Sequence, residues 1–255
     1  MPRFTEKVVI VTGATSGIGE AAALLFAGEG ARVIIAARRE DKGSALVGRI
    51  RAAGGEATFV RTDVRSMDSV ANMVRTAIEH YGGIDCAFNN AGVIGRTGSL
   101  TPDQPEEEWD AVMDVNLKGI WRCMKHEIPE MLKRGRGAIV NNASDVGLVG
   151  SGVGISPYVA SKHGVVGLTR SASLEYADKG VRVNAICPGF TRSEMSAPVL
   201  ALDEKTVSRI VKQHTPMGRI ASADEIALAA LWLCSDEASF VTGAALSIDG
   251  GSTAR

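Results

Sequence analysis

Tyr158 and Lys162 stand four residues apart in Tyr158-Val159-Ala160-Ser161-Lys162, a run of small and apolar residues. In a helix, positions i and i+4 project from one face, one above the other. An ammonium held beside a phenol favours the phenolate, so such a tyrosine can exchange a proton below its ordinary pKa of about 10. That is the chemistry of a general acid/base working on a carbonyl or an alcohol. The same spacing also arises where a surface lysine packs over a tyrosine, so the elements around the pair must decide.

A second stretch with chemical potential is Val8-Val9-Ile10-Val11-Thr12-Gly13-Ala14-Thr15-Ser16-Gly17-Ile18-Gly19. An apolar strand runs into a glycine-rich turn and then into an alanine-rich helix. Free N–H groups and the positive dipole end of that helix suit a pyrophosphate. Gly13 makes the turn, Gly17 allows the pyrophosphate to approach, and Gly19 allows close helix–strand packing. The spacing is Gly-x-x-x-Gly-x-Gly, which differs from the commoner Gly-x-Gly-x-x-Gly fingerprint.

The end of the second strand discriminates between dinucleotides. It reads Ile35-Ala36-Ala37-Arg38-Arg39-Glu40, with Ala37 where a carboxylate would take the ribose 2′-hydroxyl and Arg38 just beyond. No carboxylate is placed to repel a 2′-phosphate and a guanidinium is available for it, which predicts NADP(H), with NAD(H) as the other option. The alternative is that Arg38 and Arg39 form a solvated helix start. Asp63, in Arg61-Thr62-Asp63-Val64, could accept a bond from an adenine amino group or cap the next helix.

These residues need a scaffold, and the pattern supplies one. Short β-branched runs at 8–11, 32–36, 56–61, 84–88, 138–141, 182–186 and 245–248 alternate with helical patterns at 17–27, 41–53, 66–80, 106–132, 157–177 and 224–234. Several strand runs are apolar throughout, as expected where helices cover both sheet faces. The rhythm predicts an α/β, Rossmann-like, doubly wound parallel sheet of about seven strands flanked by helices. No linker or composition break divides the chain, so 1–255 reads as one nucleotide-binding domain. Residues 191–220 carry helical pattern without a strand and read as a lid above the sheet.

Composition narrows the partners. Lysine and arginine total 28 against 29 aspartate and glutamate among 255 residues, a net charge of −1, so no global field points to nucleic acid or an anionic membrane. No apolar run reaches the ~18 residues of a spanning helix. The first seven residues lack a signal-peptide core. The cysteines Cys86, Cys123, Cys187 and Cys234 are scattered and no histidines cluster. They read as reduced core thiols of a cytoplasmic protein, with no disulfide framework and no metal.

Taken in order, these motifs resemble those of the short-chain dehydrogenase/reductase family over nearly the whole chain. Thr12-Gly13-x-x-x-Gly17-Ile18-Gly19 is similar to the family's cofactor turn. Asn89-Asn90-Ala91-Gly92 is similar to the segment that steadies the central sheet and lines the adenosine ribose. Asn116, in Asp114-Val115-Asn116-Leu117, matches the helix asparagine, and Ser144 the catalytic serine. Tyr158 and Lys162 take the Tyr-x-x-x-Lys positions. Arg182-Val183-Asn184 and Pro188-Gly189 resemble the segment facing the nicotinamide, and Gly243 with Asp249-Gly250-Gly251 the C-terminal signature.

The resemblance implies a mechanism. Tyr158 passes a proton to or from the substrate oxygen while hydride moves between nicotinamide and carbon. Lys162 lowers the tyrosine pKa and bonds the nicotinamide ribose. Ser144 stabilises the developing oxyanion, and Asn116 holds a water linking Lys162 to solvent. Gly13, Thr15, Ser16, Gly17, Ile18 and Gly19 would hold the pyrophosphate side of the cofactor. Arg38, Arg39, Asp63, Val64, Asn90, Ala91 and Gly92 would hold its adenosine side, and Pro188, Gly189, Thr191 and Ser193 its nicotinamide side. A homotetramer built on the long helices after the fourth and fifth strands is implied as well.

Some positions depart from the family pattern. Ser144 lies fourteen residues before Tyr158, at the long end, and the glycine-bearing loop 145–156 absorbs the difference. Asn141-Asn142-Ala143-Ser144-Asp145 is unusually polar, with Asp145 read as a turn cap. Ser193 replaces a frequent threonine, and Ser16 stands where many NADP-dependent relatives carry a base, leaving that preference on Arg38. Val146, Leu148, Val149, Val153, Ile155, Phe190, Met195 and Val199 are the expected pocket walls, with Ser144, Val146, Tyr158, Phe190 and Met195 on the substrate. Mostly apolar walls suit a ketone or secondary alcohol with hydrophobic substituents. Arg96, Arg192 and Glu194 lie near in sequence without a stated direction. A 3-oxoacyl thioester is the competing substrate class. A non-catalytic nucleotide-binding regulator is the competing kind of function.

Overall fold

The computed structural model describes residues 2–254. Seven strands form one sheet: β1 Val8–Thr12, β2 Arg32–Ala37, β3 Glu56–Arg61, β4 Cys86–Asn89, β5 Gly137–Asn142, β6 Val181–Pro188 and β7 Ala245–Ile248. Their order is β3-β2-β1-β4-β5-β6-β7 and every neighbouring pair is parallel. Helices α1 Gly17–Gly28, α2 Glu40–Ala52 and α3 Met67–Tyr81 make the crossovers of the first half. The long α6 Ser156–Tyr176 and the apolar α9 Ala223–Cys234 belong to the second. This is a single Rossmann-like domain.

All five residues of β1 are buried, because both faces are covered. Val9 and Val11 pack into a core shared with α1 and α9, whereas Val8 and Ile10 pack into the opposite core shared with α3 and α6. Chain order reverses between β1 and β4. In open parallel sheets, ligands bind outside the carboxyl ends of the strands at that switch. The glycine turn leaves β1 and Asn89-Asn90-Ala91-Gly92 leaves β4, so both flank it.

The helical pattern at 106–132 is not one helix. It divides into α4 Glu106–Met113, a π-helical turn Asp114–Lys118 and α5 Gly119–Lys133. Arg122 stabilises the wider turn, donating to the Asp114 carbonyl at 3.2 Å and to Asp114 Oδ1 at 2.8 Å. Single π turns commonly occupy functional positions, and Asn116 sits in this one.

Residues 191–220 carry α7 Ala197–Leu200 and α8 Glu204–His214 and no strand. The excursion is closed at its neck, where Thr191 bridges Ala221 and the Arg192 N–H donates to the Ala221 carbonyl at 2.9 Å.

Candidate active site

Gly13 and Gly19 let the first turn close on the end of β4. Gly13 has φ +64, and a Cβ there would lie 2.9 Å from Ala91 Cα. A Cβ on Gly19 would meet the Gly13 carbonyl oxygen at 2.4 Å and Asn90 Nδ2 at 2.5 Å. Thr12 completes the junction. Its Oγ1 accepts from the backbone N–H groups of Asn90 and Ala91 at 2.9 and 3.1 Å. Ser16 precedes α1 without capping it through its side chain, so the first-turn N–H groups stay open toward the sheet edge. Thr15 is buried beside them and Ile18 packs down on the core.

Tyr158, Ser144 and Lys162 are buried together above β5 and β6. Lys162 Nζ donates to the Asn142 carbonyl at 2.7 Å and stands 5.5 Å from the centroid of the Tyr158 ring. The expected lowering of the tyrosine pKa is not found. Burial pushes the Tyr158 phenol up to about 12, against a lowering by Ser144, with Asp145 adding a further rise. Burial likewise pulls Lys162 down to about 8. Desolvation penalises the charged form of both groups, so proximity alone does not create the phenolate.

Ser144 points its hydroxyl at its neighbour: Oγ donates to Asp145 Oδ1 at 2.9 Å, with the Pro188 carbonyl a distant second at 3.5 Å. Asp145 Oδ1 also accepts from the Val146 N–H at 2.8 Å, so the expected turn cap is present with the serine contact added. Asn116 spends its side chain on the protein. Its Oδ1 accepts from Val93 N–H at 2.8 Å, and its Nδ2 donates to Val93 O and Ser161 Oγ. The side chain is committed to protein partners. Gly92 lies between Asn116 and Lys162, with its Cβ position 3.4 Å from Asn116 Oδ1 and 3.6 Å from Lys162 Nζ.

Sequence reasoning passed over Asn142 as a site residue. Its carbonyl holds Lys162, and its Nδ2 donates to Asn90 Oδ1 at 2.8 Å, while Asn90 Nδ2 reaches the Thr12 and Gly13 carbonyls. One side chain thus joins the lysine to the glycine turn. Its Oδ1 is buried without a partner. The signal was the unusual polarity at the end of β5.

At the other end of the site, Arg39 rather than Arg38 turns toward the glycine loop. Arg39 Nη2 donates to Ser16 Oγ at 3.0 Å and to Thr15 Oγ1 at 3.2 Å, and Nη1 pairs with Glu194 at 2.9 Å. Lys42 donates to the same Glu194 at 2.7 Å, and the hydrogen bonds from Lys42 and Arg39 hold the carboxyl down to about 2. Arg38 is exposed at the strand end. Ser193 lies directly over the turn, 3.0 Å from where a Gly17 Cβ would be. Asp63 is not the helix cap: Ser66 caps α3 by accepting from the Ser69 N–H, and Asp63 is engaged by Arg65. Val64 is buried, with its carbonyl on Arg122.

The expected pocket walls separate. Val146 and Ile155 pack with Tyr158, together with Val93, Ile94 and Val112. Leu148 turns into the main core, and Val149, Val153 and Met195 are exposed. Phe190 lines a different cavity, with Thr215, Met217, Arg219 and Ile248. Pro188 ends β6 below Ser144, followed by Gly189 and by Thr191, whose Oγ1 returns to the Gly189 carbonyl. Arg182 and Asn184 do not face the nicotinamide side. Arg182 donates to the Leu233, Val241 and Ser235 carbonyls and Asn184 to Val241 O, so they staple the C-terminal region to β6. Arg96 is exposed, its backbone N–H on Glu108. Among the described residues no group of three or more His, Cys, Asp or Glu could hold a metal ion, and no helix is long and apolar enough to cross a membrane.

The chain is similar to known proteins over nearly its whole length. A family model described as enoyl-(acyl carrier protein) reductase matches residues 13–253. The chain is 45% identical over 252 residues to the A-factor type gamma-butyrolactone 1′-reductase (1S-forming) of Streptomyces virginiae, covering 98% of this chain and 96% of that protein. It is 41% identical to the cyclohexanol dehydrogenase of an Acinetobacter species, covering 99% and 97%. Among solved structures, a variant of actinorhodin polyketide ketoreductase with NADPH superposes with a TM-score of 0.91 at 37% identity, covering 99% of this chain and all of that one. With the glycine turn, the buried serine–tyrosine–lysine cluster and these matches over nearly its full length, the chain belongs to the short-chain dehydrogenase/reductase family of oxidoreductases.

Proposed function

We propose that this protein is an NADP(H)-dependent oxidoreductase that interconverts a ketone and a secondary alcohol, with Tyr158 as general acid/base. The observation that carries the reading is the burial of Tyr158, Ser144 and Lys162 in one cluster at the carboxyl ends of β5 and β6. In reduction Tyr158 gives its proton to the substrate oxygen; in oxidation it takes one.

The residues present fit a dinucleotide. The open first turn of α1, the close approach at Gly13 and Gly19, and the unpartnered Asn142 Oδ1 leave donors and acceptors for one. When bound, the nicotinamide supplies or accepts the hydride. Gly13, Thr15, Ser16, Gly17, Ile18 and Gly19 hold the phosphates, and Arg39 with Arg38 takes the 2′-phosphate. Asp63, Val64, Asn90, Ala91 and Gly92 line the adenosine, and Pro188, Gly189, Thr191 and Ser193 the carboxamide side. Lys162 anchors the ribose and, with Ser144, orients the reacting oxygen. Residues 191–220 act as the lid. NADPH in the related ketoreductase supports the cofactor choice.

The named relatives act on a gamma-butyrolactone 1′-position and on cyclohexanol, and apolar Val146 and Ile155 beside Tyr158 suit a ring-bearing ketone or alcohol. The second reading, a 3-oxoacyl thioester reductase, is favoured by the carrier-protein description of the matching family model. Trp121 and Leu174, exposed on α5 and α6, suit a homotetramer, and a cytoplasmic setting suits the four reduced, buried cysteines. A panel of cyclic ketones, alcohols and a 3-oxoacyl thioester, followed at the NADPH absorbance band, tests the assignment. Turnover of ring ketones is expected. NADPH binding without turnover of any substrate would leave a non-catalytic nucleotide-binding protein.

A further inference from the structure

The two loops that pack with Tyr158 are held to each other. The first leaves β4 and brings up Val93 and Ile94; the second, 145–156, leaves β5 and brings up Val146 and Ile155. The first is anchored at its inner end, where Asn116 bonds both backbone groups of Val93 at 2.8 Å. It is also pressed on α4 at Gly95, where φ is +72 and a Cβ would lie 2.5 Å from Val112 Cγ2. The second loop has less support of its own. Glycine has more conformational freedom to lose than any other residue, and the Cβ positions of Gly150 and Gly152 have nothing within 4 Å. Its outer half is held from across the gap.

Three contacts hold it. The Gly98 N–H donates to the Val153 carbonyl at 3.1 Å. Gly154, at φ +69, lies so close to the first loop that a Cβ would meet Gly98 C and Ser99 N at 2.7 Å. Gln104, just past the 3-10 turn Thr101–Asp103, donates from Nε2 to the Ser99 carbonyl at 2.8 Å and to the Gly154 carbonyl at 3.2 Å. Two carbonyls facing one amide atom require that atom to be the nitrogen. A single side chain thus closes its own loop and clamps the neighbouring one, next to Ile155.

We propose that Gln104 is a positioning residue that joins 93–104 and 145–156 into one wall beside Tyr158, and so limits the size of the carbonyl substrate. It acts through Gly154 and Ile155. With the clamp in place, Val93 and Ile94 keep a fixed separation from Ile155, and a compact ring is packed on both sides. Without it, the glycine-bearing stretch 150–154 moves outward; a compact ring loses contacts and a bulkier one gains room. The glycine turn at β1 and the Tyr158–Lys162 pair take no part in the clamp.

This inference rests on the ketone–alcohol reading, and the experiment separates the two. Gln104→Leu keeps the bulk and removes both donors, while Gly154→Ala parts the loops by a steric route. For each variant, kcat and KM with NADPH are measured for cyclohexanone and for a fused bicyclic ketone, beside Tm, NADPH Kd and amide hydrogen exchange. Loss of two bonds to carbonyls is expected to shift the bicyclic-to-cyclohexanone ratio of kcat/KM upward by roughly fivefold or more. The shift should come through a higher KM for cyclohexanone, with NADPH Kd within about twofold of native. Amides of 95–100 and 150–155 should exchange faster together, and those of α6 from Val165 onward should not change. An unmoved ratio, or an equal loss for both ketones, overturns the inference. So does native exchange in both variants, whether or not turnover is seen. If the native protein reduces no ketone at all, the ketone–alcohol reading itself has failed.

Discussion

Arg39 bridges the glycine turn and Glu194, donating to Ser16 Oγ at 3.0 Å with Nη2 and to Glu194 Oε2 at 2.9 Å with Nη1. The carboxylate sits on the cation that a cofactor 2′-phosphate would use, and Lys42 holds it there. Glu194 is about half exposed, and exposed pairs of this kind contribute only ~0.2–1 kcal/mol. Glu194→Gln is therefore expected to leave Tm unchanged and to lower KM for NADPH roughly two- to fivefold, with KM for NADH unaffected.

Arg39→Ala tests the same relationship from the other side. A guanidinium–phosphate contact is worth ~1.5–3 kcal/mol, so KM for NADPH should rise roughly tenfold or more while KM for NADH hardly moves. An equal rise for both cofactors would place Arg39 in the architecture of the turn, through Thr15 and Ser16, instead of in discrimination.

Tyr158→Phe removes only an oxygen from a buried ring. General acid/base groups contribute about 10²–10⁴-fold, so kcat for ketone reduction should fall by that range while NADPH fluorescence titrations give nearly the native Kd. Retained turnover would remove Tyr158 as the acid.

Gly19→Ala has a steric readout. The added methyl would meet the Gly13 carbonyl oxygen at 2.4 Å, a backbone atom that cannot give way without moving the cofactor turn. Loss of NADPH binding together with a lower Tm is expected, because the collision also pushes on Asn90. Gly92→Ala is the contrast: its methyl meets Asn116 and Lys162 only at 3.4 Å and beyond, so Tm should hold.

Much of this was legible before the fold. Strand positions followed from apolar runs buried on both faces, and the end of each strand moved by two residues or fewer. The pairing of Tyr158 with Lys162 followed from spacing, because one helix suffices to align them. What escaped depended on contacts distant in sequence or on a single rotation. Periodicity over 106–132 cannot register one widened turn, so the π turn at Asn116 was invisible. Adjacent Arg38 and Arg39 differ only in which side of the strand end they leave from, and Arg39 was selected by Glu194, 155 positions away. Arg182 and Asn184 were assigned to the nicotinamide side by motif, yet they lie on the part of β6 that the C-terminal segment crosses. Lys162 was expected to acidify Tyr158 because charge proximity was visible in the sequence, whereas the burial of both groups was not.

Burial also sets the last prediction. Glu127 of α5 is fully buried, donated to by Asn89 Nδ2 at 3.0 Å, and burial pushes its carboxyl up to about 7. Its Oε1 is buried without a partner, where a carboxylate oxygen is costly and a protonated one less so. Protonation favours the folded state, so this contribution is fully present below the unfolded pKa near 4.5 and is lost as pH rises through about 7. At ~1.4 kcal/mol per unit, the loss is on the order of 3 kcal/mol. Glu127→Gln supplies a permanent N–H₂ donor in place of the titrating proton. From pH 5, where its Tm should match or fall slightly below the native value, the variant should gain on the native protein up to about pH 7 and hold that lead to pH 9. Parallel Tm curves across that range would mean that Glu127 stays neutral, or finds water, at every pH tested.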